Sequence, residues 1–311
     1  MSEVLNLTEK SSPVTSGPKV TVRTDSTIKP SPVSKVTLYR SDKREDDPIK
    51  IVFYGDTGTG KTRTILGLLR SGLTVLYFST EIGGSGLRTV KEEASPDELS
   101  RLYELEGLTD YRTLTTFLRS PEKLIPEIYG LNIDLFFWDG GSEGQLVQLE
   151  EYIGENILPK NEREISDARR SGLQLETRDW SMVLNGTVRM VKDYLNMYNV
   201  RTGKRWHKIL TFKEQEKERI EDLSGADSKP KYRAKNSMLI HGGAKKLVEG
   251  AFDFIIRTRV KTNAIEKTTE FLYCTAPSDS QTAKSRGVKL PAEMPADMAV
   301  LWVMLAKKRG V

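Results

Sequence analysis

Apolar and polar positions change rhythm several times along this chain, and each change marks an element. Residues 51–54 (Ile-Val-Phe-Tyr), 73–79 (Leu-Thr-Val-Leu-Tyr-Phe-Ser) and 133–139 (Ile-Asp-Leu-Phe-Phe-Trp-Asp) are short, nearly unbroken apolar runs. Runs of this kind predict strands buried on both faces, as in a parallel sheet. Residues 206–212 (Trp-His-Lys-Ile-Leu-Thr-Phe) predict another strand. Helical spacing appears at residues 62–69, 145–157 and 179–198, and shorter helices are predicted at 121–129 and 244–249. In the longest of these, Trp180, Val183, Leu184, Val188, Val191 and Leu195 fall on one side, which predicts a core-facing stripe. Residues 252–260 and 268–275 alternate instead and predict two antiparallel strands closing the sheet. Residues 298–307 predict a last helix, with Trp302 and Met304 as packing residues.

Strands alternating with helices predict an α/β fold with a mostly parallel central sheet, helices on its flanks and an antiparallel hairpin at one edge. Residues 1–47 are rich in Ser, Thr, Pro and Lys with few aromatic residues. They bury too little apolar surface to offset their ordering entropy and predict a disordered tail before a single domain over 48–311. Two charged insertions are expected, near 88–119 and 158–179; the first reads as helices and loops around an acidic turn at 92–98. Residues 213–239 alternate in charge and then become rich in Gly, Ser, Asp and Pro, which predicts a mobile charged loop.

Composition narrows the class. The 311 residues are 29% charged, with a net charge of +5. No stretch approaches the roughly 18 apolar residues of a membrane span. The first residues lack a basic-then-apolar signal, so a soluble, cytoplasmic protein is expected. Cys274 is the single cysteine and forms no intrachain disulfide; its strand-like neighbours predict a buried small hydrophobe. His207 reads as structural, because no second His or Cys stands at metal spacing.

Chemistry enters with Gly55, Asp56, Thr57, Gly58, Thr59, Gly60, Lys61 and Thr62, which fit G-x-x-x-x-G-K-[ST] at every defined position between a strand and a helix. Backbone amides of such a turn cradle phosphates, the lysine neutralises the outer ones and the threonine hydroxyl holds magnesium. Asp139 ends an apolar run at a distance suited to the second magnesium-side element. Gly140 follows it where many mechanical ATPases carry a second acid, so the carboxylate that activates water must come from elsewhere. Glu81 ends another strand and is the candidate. A helix-capping or loop acid is the plain alternative. Residues 211–213 are placed to sense the outermost phosphate. From 229 to 246 the chain has six Lys or Arg and no acid. Lys229, Lys231, Tyr232, Arg233, Lys235, Lys245 and Lys246 are therefore candidates for tracking a phosphate backbone, with Tyr232 stacking on a base; a solvated loop is the competing reading. Lys284 and Arg286 can supply cations to a phosphate site, in their own subunit or a neighbour's.

Together these motifs resemble the RecA-like P-loop recombination ATPases, and within them the compact phage-type nucleotide-binding proteins associated with single-strand annealing and strand exchange. The resemblance spans roughly residues 50–305. It rests on the phosphate loop, Tyr-Phe-Ser-Thr-Glu81, Asp139 after Phe-Phe-Trp, the Trp180 helix, the loop ending in His-Gly-Gly at 241–243, and Ala-Lys-Ser-Arg286. It implies ATP and Mg2+ as ligands, Glu81 as activator of water and the loop before residue 242 as the DNA contact. It also implies Lys284 and Arg286 as cations reaching an adjacent protomer. The glutamine usual after the fourth strand of bacterial recombinases has no counterpart in Leu-Thr-Phe-Lys213. The expectation is a DNA-stimulated ATP hydrolase of recombination, annealing or repair, assembling as a ring or filament, with a protein partner for the tail and the host cytoplasm as its location if phage-encoded. The rivals are an ATP-gated adaptor or packaging-type protein and a P-loop kinase.

Overall fold

The computed structural model describes residues 47–81, 86–156, 177–221, 231–240, 244–263, 268–278 and 280–307. The chain divides into residues 1–44 and 45–311. The first unit lies outside the described residues, as do most of the insertion expected at 158–179 and the His-Gly-Gly at 241–243.

Strand and helix alternate through the first half: β1 (Lys50–Gly55), α1 (Thr64–Arg70), β2 (Val75–Ser79), α2 (Arg88–Glu93), α3 (Pro96–Leu99), β3 (Leu102–Leu105), α4 (Tyr111–Arg119), β4 (Leu135–Asp139) and α5 (Gly141–Asn156). The second half holds α6 (Thr177–Asn196), β5 (His207–Glu221), β6 (Lys231–Met238), α7 (Ala244–Ala251), β7 (Phe254–Asn263), β8 (Thr268–Cys274), β9 (Lys284–Ser285), β10 (Glu293–Pro295) and α8 (Met298–Lys307). The strand order is β10-β8-β7-β1-β5-β4-β2-β3. From β7 to β3 every neighbouring pair is parallel, while β8 and β10 add antiparallel strands at one edge. The fold is the α/β architecture the apolar rhythm predicts.

The unbroken apolar runs explain why helices cover both faces. Alternate residues of one strand point to opposite sides. Val52, Phe78, Trp138 and Leu210 enter a core shared with α4, α6 and α7, while Ile51, Val75, Phe137 and Ile209 enter a second one shared with α1, α2 and α8. Each fully buried side chain of this size contributes about 1.5–3 kcal/mol. Local signals agree with the packing: Asp110 caps α4 by accepting from the Thr113 amide at 2.8 Å, which is worth about 1 kcal/mol.

Several expectations change. Residues 102–105, expected among helices and loops, form β3, a parallel edge strand too short and half-polar to show a strand rhythm. The charged loop expected at 213–239 is instead a two-stranded ribbon: β5 continues to Glu221 and pairs antiparallel with β6, from Glu214 opposite Met238 to Glu221 opposite Lys231. The sequence of these strands is charged and lacks an apolar alternation, so periodicity is silent. The helix expected at 121–129 is two 3-10 turns, Pro121–Lys123 and Ile128–Gly130; Pro126 between them cannot continue a helix. On α6, Val183, Val188 and Val191 are buried as predicted, but Trp180 is 38% exposed. On α8, Trp302 is buried and Met304 faces outward. His207 is structural: its Nδ1 accepts from the Ile49 amide at 2.9 Å and its ring meets Trp302 edge-on. Cys274 is buried and unpaired to any cysteine.

Candidate functional site

The parallel strands deliver their carboxyl ends to one rim, with Ser79 beside Asp139 and Gly55 beside Lys213. In open α/β sheets this rim is where ligands bind. After Gly55 the backbone turns back through Gly58 and Gly60, at φ of 78° and 85°, a left-handed conformation that only glycine adopts without cost. The turn closes around Lys61, whose Nζ donates to the Gly55 and Asp56 carbonyls at 2.8 Å each. Thr59 Oγ1 braces it from outside, against Asp56 O at 2.8 Å and Thr258 Oγ1 at 2.7 Å. Burial lowers the Lys61 pKa, and the nearby Asp139 and Glu81 carboxylates oppose that shift. Here is a cation desolvated beside backbone amides, a setting that an anionic ligand would relieve.

Asp139 is 1% exposed and gathers three hydroxyls. Its Oδ2 accepts from Thr62 Oγ1 at 2.6 Å and Tyr77 OH at 3.2 Å, and its Oδ1 accepts from Thr211 Oγ1. Thr62 comes from the phosphate loop, Tyr77 from β2 and Thr211 from β5, so one carboxylate ties three elements together.

The residue after Asp139 has a steric reason to be glycine. Gly140 stands at φ 93°, and an added Cβ would lie 2.9 Å from Glu81 Cγ and 3.0 Å from Thr80 Oγ1. An acid cannot follow Asp139 here, because the chain carrying Glu81 fills its space. Thr80 locks the two segments, donating to Gly140 O at 2.5 Å and accepting from Trp138 Nε1 at 3.1 Å.

Glu81 is half-buried at the end of β2. Burial first, then the Asp139 and Glu143 carboxylates, raise its pKa, while Lys213 and Lys61 pull it down. A carboxylate so shifted is a better proton acceptor than an exposed one. The sequence reading missed Glu143, on the first turn of α5 and 7% exposed, which forms an ion pair with Lys213. Its place four residues beyond Asp139, within the first turn of α5, was the available signal.

Beside the loop lies a cavity of about 510 Å³, lined among others by Gly60, Arg63, Gly67, Phe271, Asp297 and Met298. The Arg63 guanidinium sits 5.7 Å from the centre of the Phe271 ring. Phe271 reads as packing in an alternating strand, so sequence alone did not single it out. The left-handed loop, the half-buried lysine, the Thr62–Asp139 pair and this adjoining cavity together fit a nucleoside triphosphate with magnesium. Among the described residues no cluster of three or more His, Cys, Asp or Glu stands ready to hold a metal by itself.

No protein-family model matches the chain, and no curated protein sequence matches it. Among solved structures it is similar to a KaiC-like protein from the hyperthermophilic archaeon Pyrococcus horikoshii OT3, at 14% identity and a TM-score of 0.31 over 72% of this chain and 77% of that one. It is similar to the RadB recombinase at 15% identity and a TM-score of 0.30, over 73% of this chain and 88% of that one. A third is the flagellar accessory protein FlaH from Methanocaldococcus jannaschii, at 15% identity and a TM-score of 0.31 over 72% and 78%. Likeness at this level lends no role to any residue, and the chemistry rests on the geometry above.

Other candidates lie elsewhere. Lys284 and Ser285 pair with Ile255 and Phe254 at the start of β7, and Phe254 is level with Ile51. That is four residues before Gly55, roughly 13 Å at about 3.3 Å per residue. Lys284 Nζ donates to the Glu249 and Phe252 carbonyls at 2.7 and 2.6 Å, and Arg286 faces Asp253 at 3.5 Å. Within one chain, both cations belong to the rim opposite the phosphate loop. Lys229 lies outside the described residues. Lys231, Tyr232, Arg233 and Lys235 stand on β6, where Lys235 is opposite Lys217 and Arg233 opposite Arg219. On α7, Lys245 is 3.8 Å from Glu249 and Lys246 is exposed. No helix among the described residues is long and apolar enough to cross a membrane.

Proposed function

We propose that this chain is a magnesium-dependent ATPase that binds single-stranded DNA and acts in recombination, annealing or repair. One observation carries the reading: the phosphate loop, the Thr62–Asp139 pair and Glu81 meet on the rim from which the β5–β6 ribbon also extends.

In this reading Lys61 and the amides of residues 58–62 hold the phosphates, and the cavity beside Phe271 takes the base and ribose. Thr62 Oγ1 and Asp139 hold the magnesium ion, which when bound spreads the charge developing on the phosphates. The Glu81 carboxylate orients the attacking water and accepts its proton. Gly140 leaves the room that Glu81 needs.

The ribbon supports the nucleic-acid half. Like charges directly opposite across a strand pair are unfavourable, and the register sets Lys217 against Lys235 and Arg219 against Arg233. A phosphate backbone laid along the ribbon offsets such a concentration of basic residues, with Lys229, Lys231, Tyr232, Lys245 and Lys246 extending it. Lys284 and Arg286, on the opposite rim, serve the nucleotide of a neighbouring protomer in a ring or filament. Residues 1–47 form a tail for a protein partner ahead of the ATPase domain at 48–311. The protein works in the cytoplasm, the host's if it is phage-encoded.

The test is ATP hydrolysis with and without single-stranded DNA across a salt series. Stimulation that weakens steeply with salt is expected, because phosphate contacts release counterions. Hydrolysis that ignores DNA, with no DNA bound at low salt, removes the recombination reading and favours the ATP-gated adaptor.

A further inference from the structure

The amino-end rim of the sheet, away from the phosphate loop, carries a turn that the chemistry above does not use. Between α6 and β5 the chain reads Tyr-Asn-Val-Arg-Thr-Gly-Lys-Arg over residues 198–205, and Tyr198 pairs with Arg205 across it. Asn199 is 5% exposed and fixes the turn from inside. Its Oδ1 accepts from the Arg201 and Thr202 amides at 3.0 and 3.2 Å, and its Nδ2 donates to the Tyr129 carbonyl at 3.1 Å. Its own amide donates to the Lys204 carbonyl at 2.8 Å, and its carbonyl accepts from the Gly203 amide at 2.7 Å. Gly203, at φ 76°, lets the chain reverse. A turn held this firmly loses little entropy when something binds to it.

What the turn displays is apolar and basic. Val200 is 56% and Tyr198 48% exposed, although nothing in the core requires either at the surface. Both edge a cavity of about 180 Å³ that Leu118, Pro121, Tyr129 and Met197 also line. Two nearby cations are already engaged, Arg119 by Asp193 and Lys204 by Asp134, each at 2.7 Å. Arg201 and Arg205 are exposed and have no ion pair among the described residues. Burial and the hydrogen bond to Glu122 raise the Tyr129 pKa to about 12 while Arg201 opposes them, so that guanidinium acts at the cavity wall.

An apolar recess flanked by two free guanidiniums suits a ligand that is apolar at one point and anionic around it. The guanidinium fork matches a carboxylate. A nucleic-acid backbone fits less well, because the Asp193 and Glu122 carboxylates stand beside the recess and two cations neutralise few phosphates. We propose that the turn and its recess are a docking site for an acidic peptide segment of a partner protein, with one large apolar side chain seated in the recess and carboxylates on Arg201 and Arg205. The site is separate from the phosphate loop, so the inference stands independently of the ATPase reading.

The test is fluorescence anisotropy on the full-length protein at low salt, with a labelled peptide of aspartates ending in leucine and phenylalanine. A control peptide carries serines in place of the apolar pair, and a third probe is labelled oligothymidine. The first peptide binds, and the serine peptide binds about tenfold more weakly, having no side chain to bury. The double change Arg201→Glu with Arg205→Glu, and separately Val200→Asp, each weaken the first peptide by about tenfold or more. Thermal unfolding and ATP hydrolysis of these variants match the unaltered chain, because the three side chains are exposed. Equal binding of the two peptides overturns the recess, and binding that none of the variants weakens overturns the site, since the peptide then sits elsewhere. Failure of the first peptide to bind overturns it as well. So does oligothymidine binding that the arginine changes abolish and the peptide does not displace, which makes the turn a nucleic-acid surface.

Discussion

β5 carries lysines at two places and treats them differently. Where it leaves the sheet Lys213 meets Glu143, and around them Asp139, Glu81 and Lys61 all lie within electrostatic reach of one another. Five residues earlier, Lys208 is fully buried with no hydrogen-bond partner for its Nζ. Phe136, Trp206 and Tyr194 surround it, with ring centres 4.4, 5.1 and 5.5 Å away. Burial, with Lys50 adding to it, pushes the Lys208 pKa well down. At the rim, opposite charges and hydroxyls offset the desolvation of each group; in the interior only the faces of aromatic rings do so. Charges that hold one another in tension can be redistributed by an incoming anion, whereas the enclosed lysine has nothing to exchange with. The rim is thus arranged for chemistry at some expense in stability, and the Lys208 cage is a structural liability without a ligand.

The sharpest way to break this contrast is Glu81→Gln. Hydrolysis is expected to fall roughly 10²–10⁴-fold, the usual contribution of a positioned base, with nucleotide affinity retained by calorimetry. Unchanged hydrolysis would remove Glu81 from its role. Asp139→Asn comes next: the three hydroxyls lose their charged acceptor, and turnover is expected to drop about 10²–10³-fold, as when one preorganised electrostatic group is removed. Magnesium dependence of nucleotide binding should weaken in parallel. Gly140→Ala forces a Cβ against Glu81 and strains a left-handed residue, so urea unfolding should register a loss of about 1–3 kcal/mol. A neutral result there would mean that Glu81 is not held as the geometry has it.

Lys208→Met tests the other region and carries the opposite sign. Removing an unpartnered buried amine should stabilise the fold by about 1–3 kcal/mol near neutral pH, with hydrolysis unaltered. Because the folded-state pKa of Lys208 is depressed, the unfolded chain binds the extra proton, and the stability of the unaltered protein rises with pH until the unfolded lysine titrates near about 10.4. The advantage of Lys208→Met should therefore shrink as pH is raised toward that value. An advantage independent of pH would mean that Lys208 stays charged among its rings in the folded state.

Legibility in the sequence followed burial. Strands buried on both faces, such as residues 51–54, 75–79 and 135–139, leave an apolar run that no other element imitates at that length. The ribbon carries no such run. Its residues from 214 to 221 read as charged loop, although β5 runs through them without a break. Trp180 and Met304 misled for the complementary reason: helical spacing shows which residues share a side, but not where the neighbouring layer stops. Glu143 and Phe271 were missed because an acid on a helix and an aromatic residue in a strand are ordinary in isolation; what singles them out is who stands beside them.

Sequence by itself determined the phosphate loop, the candidate acids Glu81 and Asp139 and the α/β alternation, because each depends on residues within one short stretch or on a local rhythm. Tertiary structure alone decided what those acids touch: that Thr211 and Tyr77 join Thr62 on Asp139, that Gly140 is emptied to admit Glu81, and that Lys284 and Arg286 lie on the far rim of their own sheet. Parallel strands set residues side by side whose separation in the chain, 77 positions for Thr62 and Asp139, carries no trace of the contact. Register and crossover, which arise from the packing of whole layers, bring those groups within hydrogen-bonding distance.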